Sequence, residues 1–210
     1  MDHSDIKATF DRDGYVILSQ LLDDAILDRV RDVVADKVDA FISSAHAEGK
    51  VPSLYTGETF ERRWAMACKA FGAQLGKEGR IVTAWGGADI IHETIYDLYT
   101  DSRLVGAVAA LLGPELRANG DFWVRPKISG DATTTLPWHQ DRFYYESHYG
   151  NTTGILAAWI PLVDVNDENG CVRLVPGSNT FGLIPSRELE NGLREPVEDV
   201  RCYGNPVSAE

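Results

Sequence analysis

Residues 137–141 read Pro-Trp-His-Gln-Asp, which sets His139 and Asp141 two positions apart. On an extended strand side chains alternate, so an H-x-D pair presents an imidazole nitrogen and a carboxylate oxygen to one side. These are two of the three donors of the 2-His-1-carboxylate facial triad. That triad holds non-haem Fe(II) and leaves positions open for a cosubstrate and dioxygen. An isolated H-x-D is weakly specific, so its surroundings must carry the reading. On the same alternation, Trp138 and Gln140 face away from the pair and are read as packing or supporting residues.

The other histidines are poor third ligands. His92 lies in a helix-like stretch, Ile90-Ile-His-Glu-Thr-Ile-Tyr-Asp-Leu98, while His3 and His46 lie among polar residues. All three are read as solvated or hydrogen-bonded side chains. His148, in a segment rich in Tyr and Asn, is placed where it could turn towards the pair. No histidine follows it.

Several segments together resemble one family. They are Leu136-Pro-Trp-His-Gln-Asp141, Gly154-Ile-Leu-Ala-Ala-Trp-Ile-Pro-Leu-Val-Asp164 and Glu168-Asn-Gly-Cys-Val-Arg-Leu-Val-Pro-Gly-Ser178. Phe10-Asp-Arg-Asp-Gly-Tyr-Val-Ile-Leu18 is similar to the family's opening strand, and Leu111-Leu-Gly-Pro114 to the end of a helix before its core. In this order the segments resemble the phytanoyl-CoA dioxygenase-like Fe(II)/2-oxoglutarate oxygenases. The resemblance implies a double-stranded β-helix, or jelly roll, flanked by N-terminal helices. It also implies Fe(II) held by His139 and Asp141, 2-oxoglutarate as cosubstrate, dioxygen as oxidant, and hydroxylation of an aliphatic C–H of a small organic molecule. Relatives that halogenate carry a small residue in place of the carboxylate, so Asp141 implies hydroxylation or a related oxidation.

The family's second iron-binding histidine comes after the Pro-Gly-Ser turn, followed by an arginine for the 2-oxoglutarate carboxylate. This chain shows neither, and Arg194 and Arg201 follow no histidine. The expectation is a C-terminally incomplete oxygenase domain or a shortened relative that has lost its iron site. Trp159 resembles a family position lining the 2-oxoglutarate pocket, with a core tryptophan as the other reading. Lys127, alternating with Arg125 and Trp123, is a candidate for the cosubstrate carboxylates or a solvated lysine. Arg142, Phe143, Tyr144 and Tyr145 directly follow the iron pair, where the family places its substrate loop; packing is the alternative. Pro176-Gly-Ser178 is read as a turn supporting the pocket mouth, and Asp164, Asp167 and Glu168 as solvated loop residues.

The elements that must position these groups are helix-rich first and strand-rich later. Ile26, Leu27, Val30, Val33, Val34, Val38, Phe41 and Ile42 recur at helical spacing over 23–42, with Asp23 or Asp24 as the N-cap. Further helices are expected over about 91–99 and from Asp101, the latter ended by Gly113-Pro114. Residues 49–90, rich in glycine, read as loops with a short helix near 62–70. From Asp121 on, 122–128, 154–163 and 171–175 read as short strands separated by turn residues, an α+β chain with a mainly β core.

The chain has 210 residues, a net charge of −12, 44% hydrophobic and 25% charged residues, which fits a single domain over 1–210. The negative charge argues against nucleic acid, whose phosphates need clustered Lys and Arg. Three cysteines, Cys68, Cys171 and Cys202, make no disulfide framework. No signal peptide or membrane-spanning run is visible, so a cytoplasmic protein is expected. Missing strands would leave open sheet edges, a place for a strand from a second copy in a homo-oligomer. Two other readings stand beside the hydroxylase. One is a non-catalytic jelly-roll relative that binds a small ligand or partner; the other is a cupin-like enzyme using its metal as a Lewis acid.

Overall fold

The computed structural model describes residues 3–75, 84–118, 120–131, 134–149 and 154–209, with side chains at all of these except 3–4, 73–75 and 146–149. The chain divides into two units. One contains Met1–Leu21, Ser102–Arg117 and Thr135–Glu210, the other Leu22–Asp101 and Ala118–Thr134.

The second unit is built on helix α2 (Asp24–Ala47). Its start was legible: Asp23 is the N-cap, and its carboxylate accepts from the Ile26 N–H at 3.1 Å, which satisfies a donor the helix cannot. Ile26, Val30, Val33, Val34, Val38, Ile42 and Ala45 form its buried face. At roughly 1.5–3 kcal/mol for each fully buried Val or Ile, this stripe dominates the helix's stability. Against it lie α3 (Phe60–Leu75) and α4 (Glu93–Thr100). Helix α3 is longer than the short helix expected near 62–70. Arg63 of α3 pairs with Asp39, and Arg29 with Asp97 of α4.

An aromatic cluster fills the space between these helices and β1 (Trp85–Gly86). Trp64 stands 4.9 Å from Phe41 and 4.8 Å from Trp85, ring centre to ring centre, and Phe41 lies 5.6 Å from Phe71. β1 pairs antiparallel with β2 (Trp123–Val124), a shorter strand than the 122–128 expected. His92 and His46 have local tasks. His92 caps α4, its Nδ1 accepting from the Thr94 N–H at 3.1 Å, and His46 Nδ1 lies 3.0 Å from the Val51 carbonyl.

Cys68, in α3, is buried, and that burial, with a contribution from Asp131, pushes its thiol up to about 12. Thiolate is the reactive form. Iodoacetamide on the native protein at pH 8 should therefore label exposed Cys202 and spare Cys68, read by peptide mass spectrometry.

In the first unit, α1 (His3–Asp13) packs on α5 (Ser102–Leu112). The expected opening strand begins inside α1, because Phe10–Asp13 are helical. The helix ends at Gly14, whose φ of +81° suits glycine and whose N–H donates to the Phe10 carbonyl at 2.8 Å. Helix α5 ends as expected at Gly113, which donates to Ala109 at 2.9 Å.

The end of α1 is clipped to the Pro-Gly-Ser turn. Gly177 N–H donates to the Asp13 carbonyl at 2.9 Å and the Asn179 amide to the Asp11 carbonyl at 3.1 Å. A Cβ on Gly14 would meet the Asn179 side chain at 3.0 Å. The turn follows β3 (Arg173–Leu174), which pairs antiparallel with β6 (Val207–Ser208). A hairpin of β4 (Ser186–Glu188) and β5 (Arg194–Pro196) lies between them in sequence, with Arg187 and Glu195 paired across it at 2.5 Å. Residues 154–163, expected as a strand, carry none, having no ladder partner among the described residues. The strands described form three separate antiparallel pairs. No helix among the described residues is long and apolar enough to cross a membrane.

Candidate metal centre

The His139–Asp141 pair does not lie on a strand. Residues 135–140 are irregular, and Asp141 stands at the start of helix α6 (Arg142–Tyr149), its carbonyl accepting from the Tyr144 N–H at 2.9 Å and the Tyr145 N–H at 3.4 Å. The two side chains still converge: His139 Nε2 lies 3.3 Å from Asp141 Oδ1. His139 Nδ1 lies 2.7 Å from the Pro137 carbonyl. A carbonyl only accepts, so Nδ1 carries the proton, and Nε2 is the nitrogen on the side of Asp141.

A metal-binding histidine likewise has its outer nitrogen held by such a hydrogen bond. Two donors bound side by side at about 2.1 Å to one octahedral ion stand about 3.0 Å apart, close to the observed spacing. The donor set, imidazole nitrogen plus carboxylate, suits Fe(II). Among the described residues no third His, Cys, Asp or Glu joins them. The side chain of His148 lies outside the described residues.

Gln140, expected as a packing or supporting residue, and Tyr144 tie the segment of the pair to residues distant along the chain. The Gln140 amide donates to the Gly182 carbonyl at 2.8 Å and accepts from the Ile184 N–H at 3.0 Å. The Tyr144 ring stands edge-on to the imidazole at 5.8 Å, and its hydroxyl accepts from the Arg194 N–H at 3.0 Å. These partners are far away along the chain, where no periodicity reports them. Arg194 itself donates to the Ser186 hydroxyl at 3.0 Å and pairs with Glu188.

A cavity of about 120 Å³ opens beside His139, walled by Trp138, Gln140, Arg173, Ile184, Val200 and Tyr203, among others. A second, of about 200 Å³, shares Gln140, Leu174, Val175 and Ser178 with it and extends to Asp13 and Tyr15. The expected pocket residues are placed otherwise. Phe143 is buried at 7% exposure, which favours packing. Arg142 is exposed and Tyr145 half-buried, and none of the three lines the cavity. Trp159 is 46% exposed and is not among the walls either. Lys127 belongs to the other unit, where its ammonium donates to the Thr134 carbonyl at 2.6 Å. Burial, and to a lesser degree Arg125, holds its pKa below the usual lysine range.

The family model described as phytanoyl-CoA dioxygenase (PhyH) matches residues 10–196. The chain belongs to the phytanoyl-CoA dioxygenase family. It is 25% identical over 114 residues to the peroxisomal phytanoyl-CoA dioxygenase of Bos taurus, a match covering 53% of this chain and 33% of the relative. With the Homo sapiens enzyme of that name it shares 26% over 99 residues, 46% of this chain and 29% of the relative. With phytanoyl-CoA dioxygenase domain-containing protein 1 of Bos taurus it shares 32% over 112 residues, 51% of this chain and 34% of the relative. The matched stretch thus spans about a third of the length of these phytanoyl-CoA dioxygenase relatives. No solved structure matches the chain. Membership of the phytanoyl-CoA dioxygenase family points to an oxygenase.

Proposed function

We propose that this chain carries the His-x-Asp part of an Fe(II)- and 2-oxoglutarate-dependent dioxygenase, on a jelly-roll frame, that hydroxylates an aliphatic C–H of a small organic substrate. The supporting observation is the 3.3 Å approach of His139 Nε2 to Asp141 Oδ1 with Nδ1 held by the Pro137 carbonyl. His139 and Asp141 would hold the iron side by side. Iron with 2-oxoglutarate and dioxygen supplies the oxidation of the C–H, the cosubstrate ending as succinate and carbon dioxide. The chain's own residues do the positioning: Pro137 sets the imidazole tautomer, Tyr144 limits its tilt, and Gln140 fixes the backbone between the two ligands. Trp138, Ile184 and Val200 supply apolar walls that exclude water beside the metal. Trp159 and Arg142 remain candidates for cosubstrate and substrate contacts.

The absence of a three-donor group among the described residues favours a second reading, a non-catalytic relative that binds a small ligand through this cavity. Anaerobic titration with Fe(II) and 2-oxoglutarate separates the two. For the oxygenase we expect the visible charge-transfer band of chelated iron, lost in His139→Ala and in Asp141→Ala. If the band is absent from the parent chain, these residues hold only part of an iron site and the oxygenase reading of this chain fails.

A further inference from the structure

We infer that Arg173 is a carboxylate-binding residue of the His139 cavity, so that a molecule bound beside the metal pair carries an anionic group towards β3. This rests on the cavity assigned above and names a chemistry for what enters it.

Three other arginines of the same unit set the comparison. Arg12, Arg187 and Arg201 hold Asp13, Glu195 and Asp199 at 2.6, 2.5 and 2.5 Å. Like Arg194, which stands 3.6 Å from Glu188, Arg173 has no carboxylate that close. Its nearest carboxylate, Asp167, is 3.9 Å from Nε, beyond hydrogen-bond range, and that carboxylate is engaged by the Ser208 hydroxyl. The Arg173 guanidinium lies instead over the Trp138 ring, 5.8 Å from its centre, next in sequence to His139. It is a wall of the His139 cavity.

A guanidinium carries five N–H donors in a flat fork matched to a carboxylate. Its place over Trp138, near the outer limit of a cation–π contact, leaves the fork for a ligand. The backbone beneath is fixed, because Arg173 faces Ser208 in the β3–β6 pair. Ile184, Pro196 and Val200 add apolar walls to the same cavity. The cavity therefore suits a short aliphatic chain ending in a carboxylate. Arg173 does not follow a histidine, so it is not the arginine that the family resemblance places after the second ligand.

The carboxylate has two sources, the cosubstrate or the substrate. The test titrates the protein with 2-oxoglutarate and, separately, with hexanoate, following the Arg173 Nε–Hε resonance by heteronuclear NMR with the affinity of each. We expect Arg173→Gln to weaken at least one ligand about ten- to a hundredfold, as loss of a charge-assisted pair does. Arg173→Lys should recover part of it, and Asp167→Asn, which removes the competing carboxylate, should tighten it. Loss for 2-oxoglutarate identifies the cosubstrate, and loss for hexanoate alone identifies a substrate carboxylate. If the parent binds neither, or Arg173→Gln changes neither affinity, the inference is overturned. His139-dependent Fe(II) binding is scored on the same samples without either carboxylate. Its survival alongside an unaffected Arg173→Gln defeats this inference alone, whereas its absence defeats the metal reading.

Discussion

Replacing Trp64 by alanine should cost about 3–5 kcal/mol, the range for a large aromatic removed from a core. Trp64 is 3% exposed and touches Phe41 and Trp85 at ring-centre distances under 5 Å, so its loss opens a cavity where α2, α3 and β1 meet. Domains are stable by only about 5–15 kcal/mol, which makes this a substantial fraction. For a chain of this size the melting temperature should fall roughly 6–20 °C, read by circular dichroism. Its indole N–H is buried without a partner among the described residues. Trp64→Phe removes that N–H as well as part of the ring, and should cost well under half as much. A Trp64→Ala loss below about 1 kcal/mol would show that the cluster does not hold these elements together.

The second large effect belongs to Gln140. Gln140→Leu leaves the Gly182 carbonyl and Ile184 N–H without the partners seen at 2.8 and 3.0 Å. Two such bonds are worth about 1–3 kcal/mol together. The consequence for the metal should exceed that for folding in diagnostic value. Gln140 is the residue between His139 and Asp141, and removing a group that orients ligands weakens metal binding about tenfold or more. Denaturant unfolding and an Fe(II) titration on the same variant check both. If stability falls while iron affinity is untouched, Gln140 holds the 182–184 segment and has no part in setting the ligand pair.

The sequence made the helices readable through groups that act locally. Asp23 caps α2 and Gly113 ends α5 within a turn of the positions expected, since a cap bonds within three or four residues. The convergence of His139 and Asp141 was readable because the two are near neighbours, yet the route differs. A strand was expected to align them, and the turn into α6 does so. What escaped depends on contacts distant along the chain. Tyr144 meets Arg194, Gln140 meets Ile184 and Arg173 meets Trp138. Residues 142–145 show the limit well. An aromatic run after a ligand pair reads equally as a pocket wall or as one helix face, and only burial of Phe143 separates the two. For 154–163, β-branched and aromatic content suggested a strand, but a ladder needs a neighbour, which composition does not reveal.

Tyr144 has a mechanical consequence. Its ring stands 5.8 Å from the imidazole, centre to centre, and its hydroxyl is fastened to the backbone of β5. A flat aromatic bridging two such points behaves as a strut: it resists compression and passes movement on. Any displacement of the 186–196 hairpin would therefore be delivered to the edge of His139 and would rotate Nε2 relative to Asp141. The hairpin, although it donates no ligand, would act as a tuning arm for the metal pair.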